Sequence, residues 1–398
     1  MQLGFVAILC VIYLLHRIGG TDATDLATSW CSISPSEAGF DGAKLGELRD
    51  KIFGYSITAS PSAMVIRHGC IVKAWGRDYK LNQWHSATKT VLSTLLLFAL
   101  KEGRIDSVDD RIMDLGFDLK RQHEGMTFRH LANMTSGYGR PEASGEAFSY
   151  NDYAIKLYYL SLEKVFETKP LLNVFKTRIA VPLGFEDDVQ GLGDGRFKVG
   201  HKMRMSARDW ARIHLFWLNK FKWEDKQLLP CEYFAEYIKP QVPRDLPRSR
   251  PQDTSDDDYL KIDSAGGNTN LWAYTQYGPG MYGFNFWFNK KPVSRGSVAW
   301  PALTKDSFLS IGSRGNVSTV IPEHQLILVS GRGPWNLDLD AGNPKSQYNQ
   351  IFTLLMEALV APAAGRSTAP PMHRDGCGQI VESQHNPGTP SSADLLTH

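Results

Sequence analysis

Residues 86–103 read SATKTVLSTLLLFALKEG, and most positions from Val91 to Leu100 are apolar. A helix that is apolar nearly all round is buried on every side. Gly103 is a natural place for this helix to end, because glycine readily adopts the left-handed conformation that follows a last helical turn. The stretch therefore predicts a helix at the centre of the core, with Ser86 and Lys89 in its first turn.

The elements predicted on either side of this helix indicate the fold class. Two strand-like runs at 63–67 and 71–75 precede it, and His68-Gly69 between them is typical of a tight hairpin turn. The other predicted elements are a helix capped by Asp41, helices at 152–166 and 206–220, strands at 307–311, 317–321 and 325–330, and a helix at 346–360. This order predicts an α+β fold, with one antiparallel sheet built from both ends of the chain, flanked by helices, and a mostly helical insert domain.

The composition is that of an ordinary globular protein. The chain has 398 residues, of which 42% are hydrophobic and 22% are charged, and its net charge is +2. That length can bury a sizeable core. A nearly balanced charge without a basic stripe gives no reason to expect a nucleic-acid partner.

The two ends of the chain are predicted to lie outside the folded domain. Leu3 to Leu15 is almost continuously apolar, but as a helix it would rise only about 20 Å, against a hydrocarbon core of about 30 Å. Residues 1–20 therefore resemble a signal peptide, which predicts a secreted or periplasmic protein, with a short uncleaved membrane anchor as the alternative. Residues 363–398 are rich in Pro, Ser and Gly and are predicted to be disordered.

Four cysteines follow the leader: Cys31, Cys70, Cys231 and Cys377. They are widely spaced, and no Cys-x-x-Cys occurs, which argues against a zinc knuckle or a thioredoxin-like pair. Disulfides are compatible with export. Four cysteines allow three pairings, and the sequence leaves all three open.

Ser86-Ala87-Thr88-Lys89 is the strongest candidate for a catalytic motif. Residues three apart share a helix face, so the lysine amine can reach the serine hydroxyl. Burial disfavours the charged form of an amine, which suits a buried lysine to act as the base that a serine nucleophile needs. The alternative is an N-cap serine followed by a surface lysine. A second copy of the spacing, Ser161-Leu162-Glu163-Lys164, is predicted to be solvated surface.

Several ordered motifs resemble the serine β-lactamase and penicillin-binding-protein family, especially its class C β-lactamase-like branch of esterases and D-amino-acid peptidases. The resemblance runs from about residue 36 to residue 360, which we take as one hydrolase domain. Besides Ser86–Lys89, it is carried by Val65–Gly69, Arg129–Gly137, Ser206–Asp209, and Tyr282–Phe284 followed by Phe286-Trp287 and Pro301.

The resemblance also implies roles for residues outside the Ser-x-x-Lys motif. Tyr150-Asn151-Asp152 is similar to the family's Tyr-x-Asn, so Tyr150 is expected to shuttle a proton, and Asp152 replaces the usual asparagine. Tyr153 is the rival for the tyrosine role. Gly312–Asn316 resembles the third motif, in which Ser313 replaces a basic residue and Gly315 allows close approach of substrate. The N–H groups of Ser86 and Asn316 are expected to form the oxyanion hole.

These features together predict a serine hydrolase that acts on a small-molecule ester or amide and needs no cofactor or metal. Because strand alternation would turn Arg314 away from the face of Ser313, no cation is expected for an anionic substrate, and an esterase-like activity is favoured. Two alternatives stay open: an inactive relative that serves as a binding or scaffold protein, and an amidase for β-lactams or D-peptides. Contact with a membrane is expected only through an uncleaved leader.

Overall fold

The computed structural model of the chain describes residues 30–54, 61–197, 200–249, 257–264, 278–291, 297–332 and 346–360, together with short strands at 372–374 and 380–382. The strands are β1 Ser62–Arg67, β2 Cys70–Gly76, β3 Asn82–Gln83, β4 Gln190–Gly191, β5 Met203–Met205, β6 Lys222–Trp223, β7 Lys226–Gln227, β8 Tyr282–Gly283, β9 Phe286–Phe288, β10 Phe308–Gly312, β11 Asn316–Ile321, β12 Leu326–Gly331, β13 Met372–Arg374 and β14 Ile380–Glu382. The helices are α1 Gly42–Gly54, α2 Lys89–Lys101, α3 Phe128–Ala132, α4 Asp152–Phe166, α5 Leu172–Phe175, α6 Ala207–Leu218, α7 Cys231–Tyr237 and α8 Gln347–Glu357.

The main sheet has seven antiparallel strands in the order β2-β1-β12-β11-β10-β9-β8. Strand β1 lies between its hairpin partner β2 and the late strand β12, with Met64 opposite Val329. The sheet is therefore assembled from both ends of the chain, and the predicted α+β architecture is confirmed. Most residues of β10, β11 and β12 are buried because helices pack against the sheet.

The first and last helices of the described domain meet beside the sheet. Asp41 caps α1 as predicted, with its Oδ1 accepting a hydrogen bond from the N–H of Ala43 at 2.8 Å. Phe40 pairs with Leu359 in an antiparallel bridge, so the start of α1 is joined to the end of α8. Arg67, at the end of β1, donates to the carbonyl of Ala38 at 2.6 Å and ties this helical layer to the sheet.

Helix α2 is the centre of the core, as its composition predicts. Every residue from Lys89 to Ala99 is buried. The indole N–H of Trp217 donates to Thr94 Oγ1 at 3.1 Å, which joins α6 to α2. Trp210, two turns earlier in α6, donates to Ser318 Oγ at 3.0 Å and so anchors α6 on β11. Helix α2 is thereby fixed relative to the sheet.

The serine of the second Ser-x-x-Lys copy is not at the surface, so the prediction of solvated surface is wrong for Ser161. Ser161 is fully buried in α4, and its hydroxyl donates to the carbonyl of Leu157 at 2.9 Å. A serine can be buried inside a helix at little cost when its hydroxyl bonds to the preceding turn. Lys164 is exposed and donates to the carbonyl of Leu115 at 3.0 Å, away from Ser161.

The structure adds detail at both ends. Cys31 and Cys70 form a disulfide that joins the lead-in segment to the start of β2. In the predicted tail, β13 pairs with β14 in an antiparallel ladder, and the rest of that region and the predicted leader lie outside the described residues. Within the described ranges, no helix is both long enough and apolar enough to cross a membrane.

Candidate active site

A short 3-10 turn, His85–Thr88, carries Ser86 into α2. The Thr88 hydroxyl is shared between the carbonyls of His85 at 2.7 Å and His201 at 2.8 Å. The N–H of Trp84 donates to the carbonyl of Met203 at 3.2 Å. Hydrogen bonds to the segment from His201 to Met203, at the start of β5, therefore fix the position of the turn that carries Ser86.

The side chain of Lys89, three residues after Ser86, extends to the serine hydroxyl. Its Nζ lies 2.8 Å from Ser86 Oγ and donates to Asp152 Oδ1 at 3.0 Å. The lysine is only 1% exposed, whereas the Asp152 side chain is 26% exposed. The alternative of a surface lysine is excluded, because the amine is enclosed and directed at the serine hydroxyl and the carboxylate.

Tyr150 completes this side of the site. Lys89 Nζ lies over the Tyr150 ring at 4.7 Å from its centroid. Burial raises the pKa of the Tyr150 phenol well above its usual range, a hydrogen bond with Ser86 acts in the opposite direction, and the Asp152 charge adds to the increase. The rival Tyr153 packs beside Gly139 instead, where a Cβ on the glycine would lie 3.7 Å from Tyr153 Cβ and 3.8 Å from its ring atom Cδ2. The structure thus brings together Ser86, Lys89, Tyr150 and Asp152.

The hairpin between β10 and β11 forms the opposite wall. A Cβ atom on Gly312 would lie 2.2 Å from the Trp84 carbonyl oxygen and 3.1 Å from the Ser86 nitrogen. Only glycine permits this approach. Ser313, Arg314 and Gly315 form the turn that follows, and both Arg314 and Gly315 have positive φ angles. Strand alternation therefore does not apply to Arg314, and the prediction that it lies on the face opposite Ser313 lacks its basis.

Asn316 begins β11, opposite Gly312, and is buried. Its Oδ1 accepts from Asn82 Nδ2 at 2.7 Å, and its Nδ2 donates to the carbonyl of Ser313 at 2.5 Å. The side chain thus braces the turn against β3. The role of its backbone N–H in an oxyanion hole stays a prediction.

Three residues near Ser86 were not singled out from the sequence: His85, His201 and Lys202. Burial is the main cause that lowers the pKa of His85 to about 4, and the charges of Lys202, Arg314 and Lys89 lower it further. His201 is fully buried, and neither ring nitrogen has a hydrogen-bond partner in the described part of the chain. Burial holds its pKa well below the usual value. His85 could have been found as the neighbour of Ser86, whereas Lys202 carries no local signal.

This arrangement, a serine at the start of a core helix with a buried lysine and a tyrosine, facing the β10–β11 turn of an antiparallel sheet, is that of the β-lactamase and penicillin-binding-protein type of hydrolase fold. The Beta-lactamase family model matches residues 58–329. This match covers more than half of the chain, and the chain belongs to the Beta-lactamase family.

Solved structures share the fold. A putative 6-aminohexanoate-dimer hydrolase from Bacillus anthracis is 15% identical with a TM-score of 0.58, covering 84% of this chain and 88% of its own. A penicillin-binding protein homologue from Caulobacter crescentus is 13% identical with a TM-score of 0.57, and the match covers 81% of this chain and 99% of the homologue. A β-lactamase from Mycobacterium bovis is 17% identical with a TM-score of 0.55, and the match covers 78% of this chain and 99% of that β-lactamase. No curated protein matches the sequence significantly.

Proposed function

We propose that this protein is a serine hydrolase that cleaves esters through an acyl-enzyme on Ser86. The observation that carries the proposal is the 2.8 Å separation of Lys89 Nζ from Ser86 Oγ, with the lysine buried. A nucleophile and a base within hydrogen-bond reach, with the base oriented by a third group, is the signature of nucleophilic catalysis. Asp152 is that third group, because it holds the same amine at 3.0 Å.

The mechanism follows from these positions. Lys89, in its neutral form, accepts the proton of Ser86 as Oγ attacks the ester carbonyl. The tetrahedral intermediate collapses, the bond between carbonyl carbon and alkoxy oxygen breaks, and the proton passes to the leaving alcohol through Tyr150. Water then attacks the acyl-enzyme by the reverse proton path, which releases the acid and restores Ser86.

The oxyanion would rest on two backbone N–H groups. The first is that of Ser86, in the first turn of its helix, where an N–H has no intrahelical partner. Asn316 is the candidate for the second from the sequence. Because Gly312 is the residue that touches the Ser86 backbone, we favour the next residue, Ser313, which is only partly buried.

Esters are favoured over amides for a chemical reason. An alkoxide leaves a tetrahedral intermediate more readily than an amine, so it tolerates a weaker proton donor. The raised pKa of the Tyr150 phenol makes it a reluctant acid. An amide or a β-lactam demands more of that group.

A binding or scaffold protein is the second candidate function. The ion pair between Asp152 and Lys89 favours it, since a carboxylate beside the amine stabilises the charged form, which cannot act as a base. The buried amine directed at Ser86 Oγ argues the other way, because a binding cleft requires no such contact.

A fluorophosphonate separates these functions. We expect intact-mass analysis to show a single adduct and peptide mapping to place it on Ser86. Ser86→Ala should abolish labelling, whereas the matched variant Ser161→Ala should not, because Ser161 is buried in α4. An unlabelled protein, or a label on another serine, would refute the proposal.

We also propose that the protein is exported. The disulfide between Cys31 and Cys70 supports this, because such bonds persist in oxidising compartments. Fractionation of the producing cells, with the mature N-terminus sequenced, tests it: the full leader on a cytosolic protein would contradict export.

A further inference from the structure

A cleft of about 830 Å³ lies at the end of the main sheet opposite Ser86. Strand β10 begins in this cleft with Phe308 and ends at Gly312, whose backbone lies against that of Ser86. Four steps along a strand cover roughly 13 Å, and none of the proposed catalytic residues lines the cleft. We call it the distal cleft, and its walls come from segments 218–224, 234–240, 288–290, 305–308 and 322–325, with Arg67 and His68.

The floor of the distal cleft is apolar. Leu218, Ile238, Phe288 and Phe308 are buried there, and Phe234 is partly exposed, with its ring centroid 5.8 Å from that of Phe308. The large apolar side chains that are exposed elsewhere in the described part of the chain do not line the cleft. The apolar surface is therefore recessed, and a single molecule that enters the cleft can cover it, whereas a flat membrane surface cannot.

The rim of the distal cleft is basic. Three acidic side chains line it, Glu224, Asp306 and Glu323, against six lysine and arginine side chains. The lining therefore carries an excess of three positive charges, counting Lys, Arg, Asp and Glu alone. A concave, low-dielectric wall of one charge sign concentrates ions of the other sign. The six basic residues are Arg67, Lys220, Lys222, Lys239, Lys290 and Lys305.

Arg67 is a fixed cation in this wall. Its Nε donates to the carbonyl of His324 at 3.3 Å, and its Nη1 donates to those of Ala38 at 2.6 Å and Gly39 at 3.2 Å. The guanidinium lies over the Phe40 ring, 5.4 Å from its centroid. No carboxylate pairs with it among the residues that the structure describes. A partly buried cation held by neutral groups gains from the arrival of an anion, because charge-assisted hydrogen bonds are the stronger kind.

Three of the lysines on the rim also lack an anionic partner. The side chains of Lys222, Lys239 and Lys305 make no hydrogen bond or ion pair within the described ranges. Lys239 and Lys305 are exposed, and Lys222 is partly buried. Lys290 donates to the carbonyl of Lys305 at 3.0 Å, a contact that does not neutralise its charge. An anionic group at the mouth of the cleft would therefore meet several amines at once.

The size of the distal cleft indicates a small ligand. Sites for small molecules have volumes of about 300–1,000 Å³ and combine apolar walls with a few polar groups. A stable protein interface covers about 800 Å² on each partner, which is more than this cleft exposes.

We propose that the distal cleft binds an amphipathic carboxylate of fatty-acid type, with its apolar chain on the floor and its carboxylate among the cations of the rim. The site is separate from Ser86, so the proposal does not depend on ester hydrolysis.

Isothermal titration calorimetry with decanoate tests both halves of the site. We expect decanoate to bind more tightly than hexanoate, by about threefold for each added methylene, since the chain is transferred to an apolar floor. Decyltrimethylammonium, which has a similar chain and the opposite charge, should bind at least about tenfold more weakly than decanoate. Equal affinities for hexanoate and decanoate would leave only a cationic surface and would overturn the proposal, as would equal affinities for decanoate and decyltrimethylammonium.

A charge-reversed variant connects the binding to the rim. Lys222→Glu, Lys239→Glu and Lys305→Glu in one protein should weaken decanoate binding by about tenfold, the combined effect of several exposed charges. The matched control reverses three exposed lysines outside the cleft and should bind decanoate as the wild type does. Both variants should give the wild-type circular dichroism spectrum, and equal binding by the two would contradict the site. The lysines of the control are Lys73, Lys169 and Lys176.

Photolabelling locates the bound chain without any variant. A decanoate analogue with a diazirine at the end of its chain should, on illumination of the wild-type protein, label peptides that contain residues 218–240 or 286–308. Prior treatment with a fluorophosphonate should leave this labelling unchanged. A label confined to the peptides of Ser86 or Tyr150 would place the carboxylate at the proposed catalytic site and overturn the distal one. Because this measurement needs no turnover, labelling of the distal cleft would sustain the proposal even if Ser86 proves unreactive.

Discussion

The Asp152 carboxylate accepts a hydrogen bond from Lys89 Nζ at 3.0 Å, on the same nitrogen that lies 2.8 Å from Ser86 Oγ. The amine is therefore shared between the hydroxyl that it deprotonates in the proposed mechanism and an anion that stabilises its charged form. The similar family motif has asparagine where this chain has Asp152. In the proposed mechanism, this one difference places an anion beside the amine that serves as the base.

Asp152→Asn should extend ester hydrolysis to lower pH. Removing the carboxylate destabilises the ammonium form of Lys89, so the neutral form becomes more abundant. We expect the acidic limb of kcat/KM for 4-nitrophenyl butyrate to move to lower pH. Asp114→Asn, which removes an exposed partner of Arg111, is the control and should leave the profile unchanged. An acidic limb that stays in place or moves to higher pH would show that Asp152 does not control the base.

Lys89→Met should remove most of the activity. Loss of a general base lowers turnover by about 10²–10⁴-fold. Methionine is the suitable replacement because Lys89 is fully buried, and alanine would leave a cavity in the core. Circular dichroism should show a folded protein. Lys164→Met, at the second copy of the motif, should retain ester hydrolysis, and wild-type rates in Lys89→Met would refute the assigned role.

Gly312→Ala should displace the turn that carries Ser86. The added Cβ would lie 2.2 Å from the Trp84 carbonyl oxygen. Because this oxygen belongs to the backbone, a change of side-chain rotamer cannot remove the clash. We expect a loss of roughly 1–3 kcal/mol in unfolding free energy, as for other overpacked sites, and a larger loss of kcat. Gly46→Ala in α1 is the matched control, since its Cβ would meet no atom within 4 Å. Equal effects of the two substitutions would mean that β10 does not press on the nucleophile turn.

Buried histidines should make the fold sensitive to acid. His214 has a pKa lowered to about 3 by burial, and its ring donates from Nδ1 to the Trp210 carbonyl and accepts at Nε2 from Ser310 Oγ. Below about pH 6.5, His214 binds a proton in the unfolded chain but not in the folded protein. The free energy of unfolding therefore decreases as the pH is lowered, by up to about 1.4 kcal/mol per pH unit.

His214→Gln should reduce that slope, because glutamine can keep both hydrogen bonds but does not titrate. Urea denaturation of both proteins between pH 6.5 and about 4 measures the difference. An identical slope in the variant would show that His214 is protonated in the folded state.

Much of the fold is encoded in local patterns. The apolar run of α2, the Asp41 cap and the β1–β2 hairpin each follow from neighbouring residues, and the structure confirms them. The Ser86–Lys89 pair could be predicted for the same reason, because one helical turn fixes its spacing.

The remaining features depend on contacts between distant segments. Ser161 is buried because α4 turns that face towards the core, which a polar neighbour in sequence does not reveal. Lys202 reaches the site through hydrogen bonds between its flanking residues and the turn of Ser86. The pairing of Cys31 with Cys70 depends on the lead-in segment lying beside β2, where Ile71 donates to the carbonyl of Cys31.

The acyl-enzyme itself is the most direct test of the central claim. Mixing the protein with excess 4-nitrophenyl butyrate and quenching in acid should give an intact mass increased by one butyryl group, with the ester mapped to Ser86. The adduct should be absent from Ser86→Ala and present in Ser161→Ala. Hydrolysis of the ester at wild-type rates by Ser86→Ala, or an acyl group trapped on another residue, would contradict the account.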